Sequence, residues 1–273
     1  MELSGSVSGA SDPPPAQHVL KVVGLTKRFG GLTAVSDVSF AIKRREIVGI
    51  FGPNGSGKTT MLNLIAGITA PTSGKIFWES AEIQGRRPHD IAAIGIVKTF
   101  QNPQLFLELT VMEHLMIASH LMLKRRLGWR RIASLLTPES GNGDASTTER
   151  AERVTELCRL QTARNQAAAS LSYGEEKMLG VAMAMMCEPQ LLLLDEPASG
   201  LGQDEINGLE AVLRDLREHG TTLCIIDHKV GFLRRLAERA ISLHHGAKIA
   251  EGIPADVLRD PNVIAAYLGP GHA

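Results

Sequence analysis

Short β-branched or alternating apolar runs fill the first part of the chain. Val19–Val23, Val35–Ile42 and Glu46–Phe51 are each bounded by turn residues and predict strands. The period then changes: Met61, Leu62, Leu64 and Ile65 within Thr60–Ala66 fit a buried helix. After the Pro71–Gly74 turn, Lys75–Trp78 predicts a further strand. From about Val111 to Leu160 the pattern is mainly helical, interrupted at Thr137–Thr147 by TPESGNGDAST, whose polar and glycine residues predict a loop. The longest apolar run, Leu179–Cys187, reads as a core helix. The last third alternates again, with Leu191–Leu194 and Thr221–Ile226 as strands and Asp204–His219 and Val230–Glu238 as helices. Ile206, Leu209, Leu213 and Leu216 fall on one helix face, and Gly220 supplies the stop.

Strands that alternate with helices imply a mostly parallel sheet covered on both faces. The expected fold class is therefore α/β, with a helical insertion between the two halves of the core. No internal repeat is visible, so the chain carries one set of motifs. Residues 1–17, rich in Ser, Gly and Pro, are expected to be a disordered tail, and 269–273 a short closing tail.

Composition narrows the function classes. Lys plus Arg equals Asp plus Glu at 29 each among 273 residues, which gives no broad electrostatic reason to bind DNA, RNA or anionic lipid. Only two Trp and two Tyr are present, too few for a base-stacking platform, and no nucleic-acid partner is expected. No apolar run approaches the ~20 residues of a membrane-spanning helix, and the N-terminus lacks the pattern of a secretory signal. Any membrane role is expected to come through a partner. Cys158, Cys187 and Cys224 form no CxxC pair and read as three buried thiols in a reducing compartment.

The densest chemistry lies at Gly52–Thr59, GPNGSGKT, between an apolar strand and a helix. In that context the pattern reads as a phosphate-binding loop. Gly52, Gly55 and Gly57 let the backbone bend so that successive N–H groups face phosphate oxygens, and the helix N-terminus adds its partial positive charge. Lys58 can bridge the β- and γ-phosphates, and the Thr59 hydroxyl can ligate Mg²⁺. The candidate contacts to ATP on this loop are Gly52, Pro53, Asn54, Gly55, Ser56, Gly57, Lys58, Thr59 and Thr60.

A second signal is Leu191–Leu194 followed by Asp195 and Glu196, an apolar strand that delivers two carboxylates at its carboxyl end. Adjacent strand residues face opposite sides, so the two acids cannot share one task. Asp195 is the natural partner of Mg²⁺, directly or through water, and Glu196 can orient or deprotonate an attacking water.

Further along come Thr99–Phe100–Gln101, LSYGE at Leu171–Glu175 and Ile226–Asp227–His228. With the phosphate loop and LLLLDEP, this order resembles the ATP-binding subunits of ABC transporters over about residues 18–268. The resemblance implies a P-loop NTPase core with an antiparallel β portion and a helical subdomain at about 102–175. It implies that Phe29 stacks on adenine and that Gln101 senses Mg²⁺ and the attacking water. Ser172 and Gly174 would touch the γ-phosphate held by a second ATP-binding subunit, and His228 would hold Glu196 and the water in place. Mg²⁺ would be held by Thr59, Gln101 and Asp195. Two positions depart from the pattern: Tyr173 stands where many members have Gly, and Gly202 where many have Asp or Asn. Apart from the resemblance, Ser172 before Glu175 and Glu176 is placed to cap a helix.

KTFQNPQLFLELTVMEHL, LSYGEE and the ending DPNVIAAYLG resemble, more narrowly, the ATPases of branched-chain amino-acid importers, with urea and amide importers sharing much of the pattern. This implies transmembrane permease subunits as partners, a solute-binding protein acting indirectly, and a place on the cytoplasmic face of the cell membrane. The basic stretch Lys124–Arg131 reads either as a solvated face of the insertion or as a contact to the permease or to anionic headgroups. A soluble, non-transport ABC ATPase and a binding-only regulatory subunit are the rival readings.

Overall fold

The computed structural model describes residues 18–126 and 141–268. The expected tails at 1–17 and 269–273, the part of Lys124–Arg131 beyond Arg126, and the first residues of TPESGNGDAST lie outside the described residues.

Two sheets make the core. Strands β1 (His18–Phe29), β2 (Leu32–Lys43), β4 (Ser73–Trp78) and β5 (Ala81–Glu82) form an antiparallel sheet in the order β2-β1-β4-β5. A six-stranded sheet runs β10-β9-β3-β8-β7-β6, from β3 (Ile47–Phe51), β6 (Ile96–Lys98), β7 (Leu191–Asp195), β8 (Thr222–Ile226), β9 (Arg239–His244) and β10 (Ala247–Gly252). Its pairings are parallel except for β9 with β10.

The four-leucine strand explains how the layers close. Leu192 and Leu194 join one hydrophobic core with helices α5 (Tyr173–Met185), α6 (Gln203–Glu218) and α7 (Val230–Leu236). Leu191 and Leu193 join the other, with α1 (Lys58–Ile65) and the antiparallel sheet. Alternating side chains thus bury both faces of one strand, as expected for a central parallel strand. On β3 the corresponding helix comes very close: a Cβ on Gly49 would lie 3.2 Å from the Ala237 Cβ and 3.3 Å from Leu233.

Helices α2 (Pro88–Ala93), α3 (Val111–Arg126) and α4 (Gly141–Leu157) separate β5 from α5, and α3 packs against both α4 and α5. Short helices α8 (Pro254–Val257) and α9 (Pro261–Leu268) close the chain.

Helix α6 buries Ile206, Leu209, Leu213 and Leu216, as its pattern predicts. It ends at Gly220 (φ +103), where the Thr221 N–H reaches back to the Leu216 carbonyl.

Several expectations need correction. Helix α4 already begins at Gly141, inside the expected loop. Ala151, Val154 and Cys158 are buried and Arg150 pairs with Glu188, which anchors the helix from its carboxyl half. Once a helix is nucleated, each added residue gains a hydrogen bond, so weak formers, the glycines included, cost no more than about 0.5–1 kcal/mol each. The helix expected at Val230–Glu238 stops at Leu236, and the hairpin β9–β10 and the short β6 were not anticipated. Of the three thiols, Cys158 and Cys224 are buried and burial pushes both up to about 12, whereas Cys187 is only partly buried.

Candidate functional site

In a parallel sheet every strand delivers its next residue to the same edge. Here that edge receives the loop after β3, Lys98 and Gln101 from β6, Asp195 and Glu196 from β7, His228 from β8 and His245 from β9.

The loop after β3 needs glycine at defined points. A Cβ on Gly52 would collide with the Leu243 carbonyl, and one on Gly57 with the Ala34 carbonyl. Gly57 is also the N-cap of α1, at φ +96. Gly57→Ala is therefore expected to cost about 1–3 kcal/mol from backbone strain alone, read as a lower urea midpoint together with lost nucleotide affinity.

Lys58 opens α1 and turns back across its own loop. Its ammonium donates to the carbonyls of Gly52 (2.8 Å) and Pro53 (2.9 Å) and lies 3.5 Å from the Ser56 hydroxyl. Burial pulls its pKa below the ordinary 10.5, against the opposing pull of the Glu196 and Asp195 charges.

The cleft beside this loop encloses about 550 Å³ and is lined by Phe29, Asn54, Gly55, Gly57, Lys58, Thr59, Thr60 and Glu196, together with His245. Phe29 is half exposed at the end of β1, with the Lys27 ammonium 4.8 Å from its ring centroid. Size does not single the cleft out. A depression of about 480 Å³ at the opposite edge contains Arg44, Arg217 and Arg239, but carboxylates of Glu79, Glu238, Glu46 and Glu251 already engage them.

The two adjacent acids diverge as their alternation requires. Asp195 is buried, with one oxygen 2.9 Å from the Lys98 ammonium and the other accepting from the Thr59 hydroxyl at 3.3 Å. Lys98 was not anticipated; its signal in the sequence is no more than the two apolar residues Ile96 and Val97 before it. Glu196 adopts φ +51, and its N–H donates to the Ile226 carbonyl. Its carboxylate accepts from Gln101 Nε2 at 2.9 Å and lies 3.6 Å from His228 Nδ1.

Asp227 is fully buried and was given no role from the sequence. Its two oxygens accept from the N–H groups of Ala198 (3.0 Å) and Lys229 (2.8 Å), so one carboxylate pins the loops that carry Glu196 and His228.

The fit to Mg²⁺ can be judged from the donors. Thr59, Asp195 and Gln101 offer hard oxygens, and no group of three or more His, Cys, Asp or Glu side chains gathers among the described residues. Mg²⁺ beside a nucleotide typically takes one or two protein oxygens and completes its shell with phosphate and water. With Lys98 on one oxygen of Asp195, the oxygen facing Thr59 is left for the metal or its water. The residues fit the ion.

Ser172 and Gly174 do not line this cleft. Ser172 caps α5: its Oγ accepts from the Glu175 N–H at 3.3 Å, while Glu175 accepts from the Ser172 N–H at 2.8 Å. Gly174 lies close to the Glu205 carboxylate, which also accepts from the Gly202 N–H at 2.8 Å.

Residues 35–199 match the family model described as ABC transporter, and residues 247–273 match one described as branched-chain amino acid ATP-binding cassette transporter. The chain is 39% identical to the high-affinity branched-chain amino acid transport ATP-binding protein BraF of Pseudomonas aeruginosa, over 93% of this chain and 99% of that one. Among solved structures it resembles the ADP conformation of an ATP-binding cassette of an ABC transporter, with a TM-score of 0.80 and 29% identity over 93% of this chain and 100% of the other. It also resembles a dimeric, post-hydrolysis ATP-binding cassette bound to ADP and Pi, with a TM-score of 0.69 and 26% identity over 86% of this chain and 98% of the other.

Proposed function

We propose, from the premise that this chain belongs to the ABC transporter family of ATP-binding proteins, that its ATPase activity powers import of a branched-chain amino acid or a similar small polar solute through a permease. The observation that carries the cargo class is the end-to-end similarity to BraF, reinforced by the separate match at residues 247–273.

In this reading Mg²⁺-ATP lies on the Gly52–Thr60 loop with its base against Phe29. Thr59, Gln101 and Asp195 hold the metal or its waters, and the metal supplies charge neutralisation on the phosphates. Glu196 accepts the proton of the attacking water; Gln101 and His228, both adjacent to its carboxylate, orient it. The ATP-binding domain spans 18–268, with a helical subdomain at about 102–175.

Ser172 and Gly174 lie outside their own chain's cleft, and a cassette of this fold forms a dimer with ADP and Pi. Both points support a second ATP-binding subunit whose nucleotide meets the N-terminus of α5. Among the described residues no helix is long and apolar enough to cross a membrane. Association with a permease, which the transport role of the relatives supports, would place the chain at the cytoplasmic face of the membrane.

The test is uptake by the complete complex in proteoliposomes. ATP-dependent accumulation of leucine, isoleucine or valine is expected. Uptake of urea without these amino acids would move the cargo to the related amide class. Co-purification with ribosomes and no permease would overturn the transport reading.

A further inference from the structure

Helix α5 contains a buried cation that the hydrolytic machinery described above does not use. Lys177 is 6% exposed, and no carboxylate pairs with it among the described residues. A buried ammonium without a counter-charge costs several kcal/mol unless its donors are met. Here they are met locally. Nζ donates to the backbone carbonyl of Gln101 and to Asn102 Oδ1 (3.3 Å), and it lies 5.2 Å from the centroid of the Tyr173 ring one turn earlier.

Both neighbours of this cation are themselves fixed. One turn further along α5, a Cβ on Gly180 would lie 3.1 Å from Pro103, so the helix lies flush against the segment that contains Gln101. The Tyr173 ring covers Gly200, where a Cβ would come within 2.6 Å of it. Tyr173, the departure from the family pattern, therefore bridges α5 to the loop after Glu196, and Lys177 bridges it to the Gln101 backbone.

We propose that Lys177 is a positioning residue for hydrolysis: it yokes the Gln101 backbone to α5, so that the Gln101 amide is held against Glu196 or withdrawn from it as that helix moves. The inference rests on the proposed roles of Glu196 as base and Ser172 as a contact to the second subunit's nucleotide. Its physical content is short and continuous. Ser172 caps the helix, Lys177 lies in the second turn, its ammonium grips Gln101, and Gln101 Nε2 donates to Glu196 at 2.9 Å. Docking of the helix N-terminus is thereby reported to the base within the same chain.

Lys177→Met keeps the length and apolar stem but removes every donor. In the permease complex it is expected to lower kcat roughly ten- to a hundredfold, because sub-ångström misplacement of a base is costly. KM for ATP, and the Kd for ATP of the isolated chain, are expected to change less than about twofold, since Lys177 touches no part of the nucleotide cleft. Lys177→Arg, which can reach both oxygens, is expected to restore most of the turnover. Should Lys177→Met fold poorly, Lys177→Leu, which also lacks a side-chain donor, is read in the same way.

Unchanged kcat in the donor-free variants, or a parallel loss of ATP affinity and turnover, would overturn the proposal. Glu196→Gln is run beside them. If Glu196→Gln keeps its turnover, the assignment of the base fails; if it is inactive while Lys177→Met is fully active, only the role of Lys177 fails.

Discussion

Glu196→Gln is expected to lower ATP turnover by the permease complex about a hundred- to ten-thousandfold, the usual contribution of a positioned general base. The substitution is nearly isosteric, and an amide oxygen at that position can still accept the hydrogen bond from Gln101 Nε2. What disappears is the proposed proton acceptor for the attacking water. Binding of ATP is expected to stay within a few-fold, because in the proposed pose the phosphates meet the loop after β3 and the N-terminus of α1, not β7. Steady-state phosphate release and equilibrium ATP binding, measured on one preparation, separate the two effects. Undiminished phosphate release would remove Glu196 from the chemistry.

The second large effect is expected at Lys58. Lys58→Ala should weaken ATP binding by about 3 kcal/mol, roughly a hundredfold in Kd, as for other buried charge contacts that lose one partner. Secondary structure should be retained, because among the described residues the Lys58 ammonium hydrogen-bonds only within its own loop. A pH dependence follows from the burial of the same group. Its pKa lies below 10.5, and the triphosphate binds the ammonium form, so affinity should fall as pH rises through that lowered value. The stability term has the opposite sign. The unfolded chain holds this proton more tightly than the nucleotide-free fold, so the contribution of Lys58 to stability improves as pH climbs towards 10.5. Titrations of affinity and of the urea midpoint across the alkaline range check both slopes.

Much of this site is local, and local features are legible in a sequence. The apolar run before GPNGSGKT, the helix that follows it and the four leucines before Asp195 each carry their own period and turn residues. The cap at Ser172 needs only a hydroxyl three residues before Glu175. The elements that went unseen are those whose stability comes from elsewhere. β6 has three residues, too few for a period, and exists because it pairs with Leu191–Leu193. The β9 strand follows α7 after a two-residue gap and is fixed by the register of β3 alongside it.

Side chains follow the same rule. Asp227 and Lys98 act through partners 29 and 97 positions away, Ala198 and Asp195, and no spacing along the chain announces such pairs. His245 enters the cleft only because β9 brings it there. Lys177 directly follows two glutamates in the sequence, which do not announce its actual partner; the crossing of α5 over residues 101–103 supplies it.

The central claim is that the carboxyl edge of this sheet holds Mg²⁺-ATP on the Gly52–Thr60 loop. Calorimetric titration of ATP into the Glu196→Gln chain, which does not consume its ligand, addresses it directly. Saturable binding of one ATP per chain is expected, strengthened by Mg²⁺ and weakened roughly a hundredfold on adding Lys58→Ala. No saturable binding with Mg²⁺ present, with or without the permease, or binding indifferent to Lys58, would contradict it.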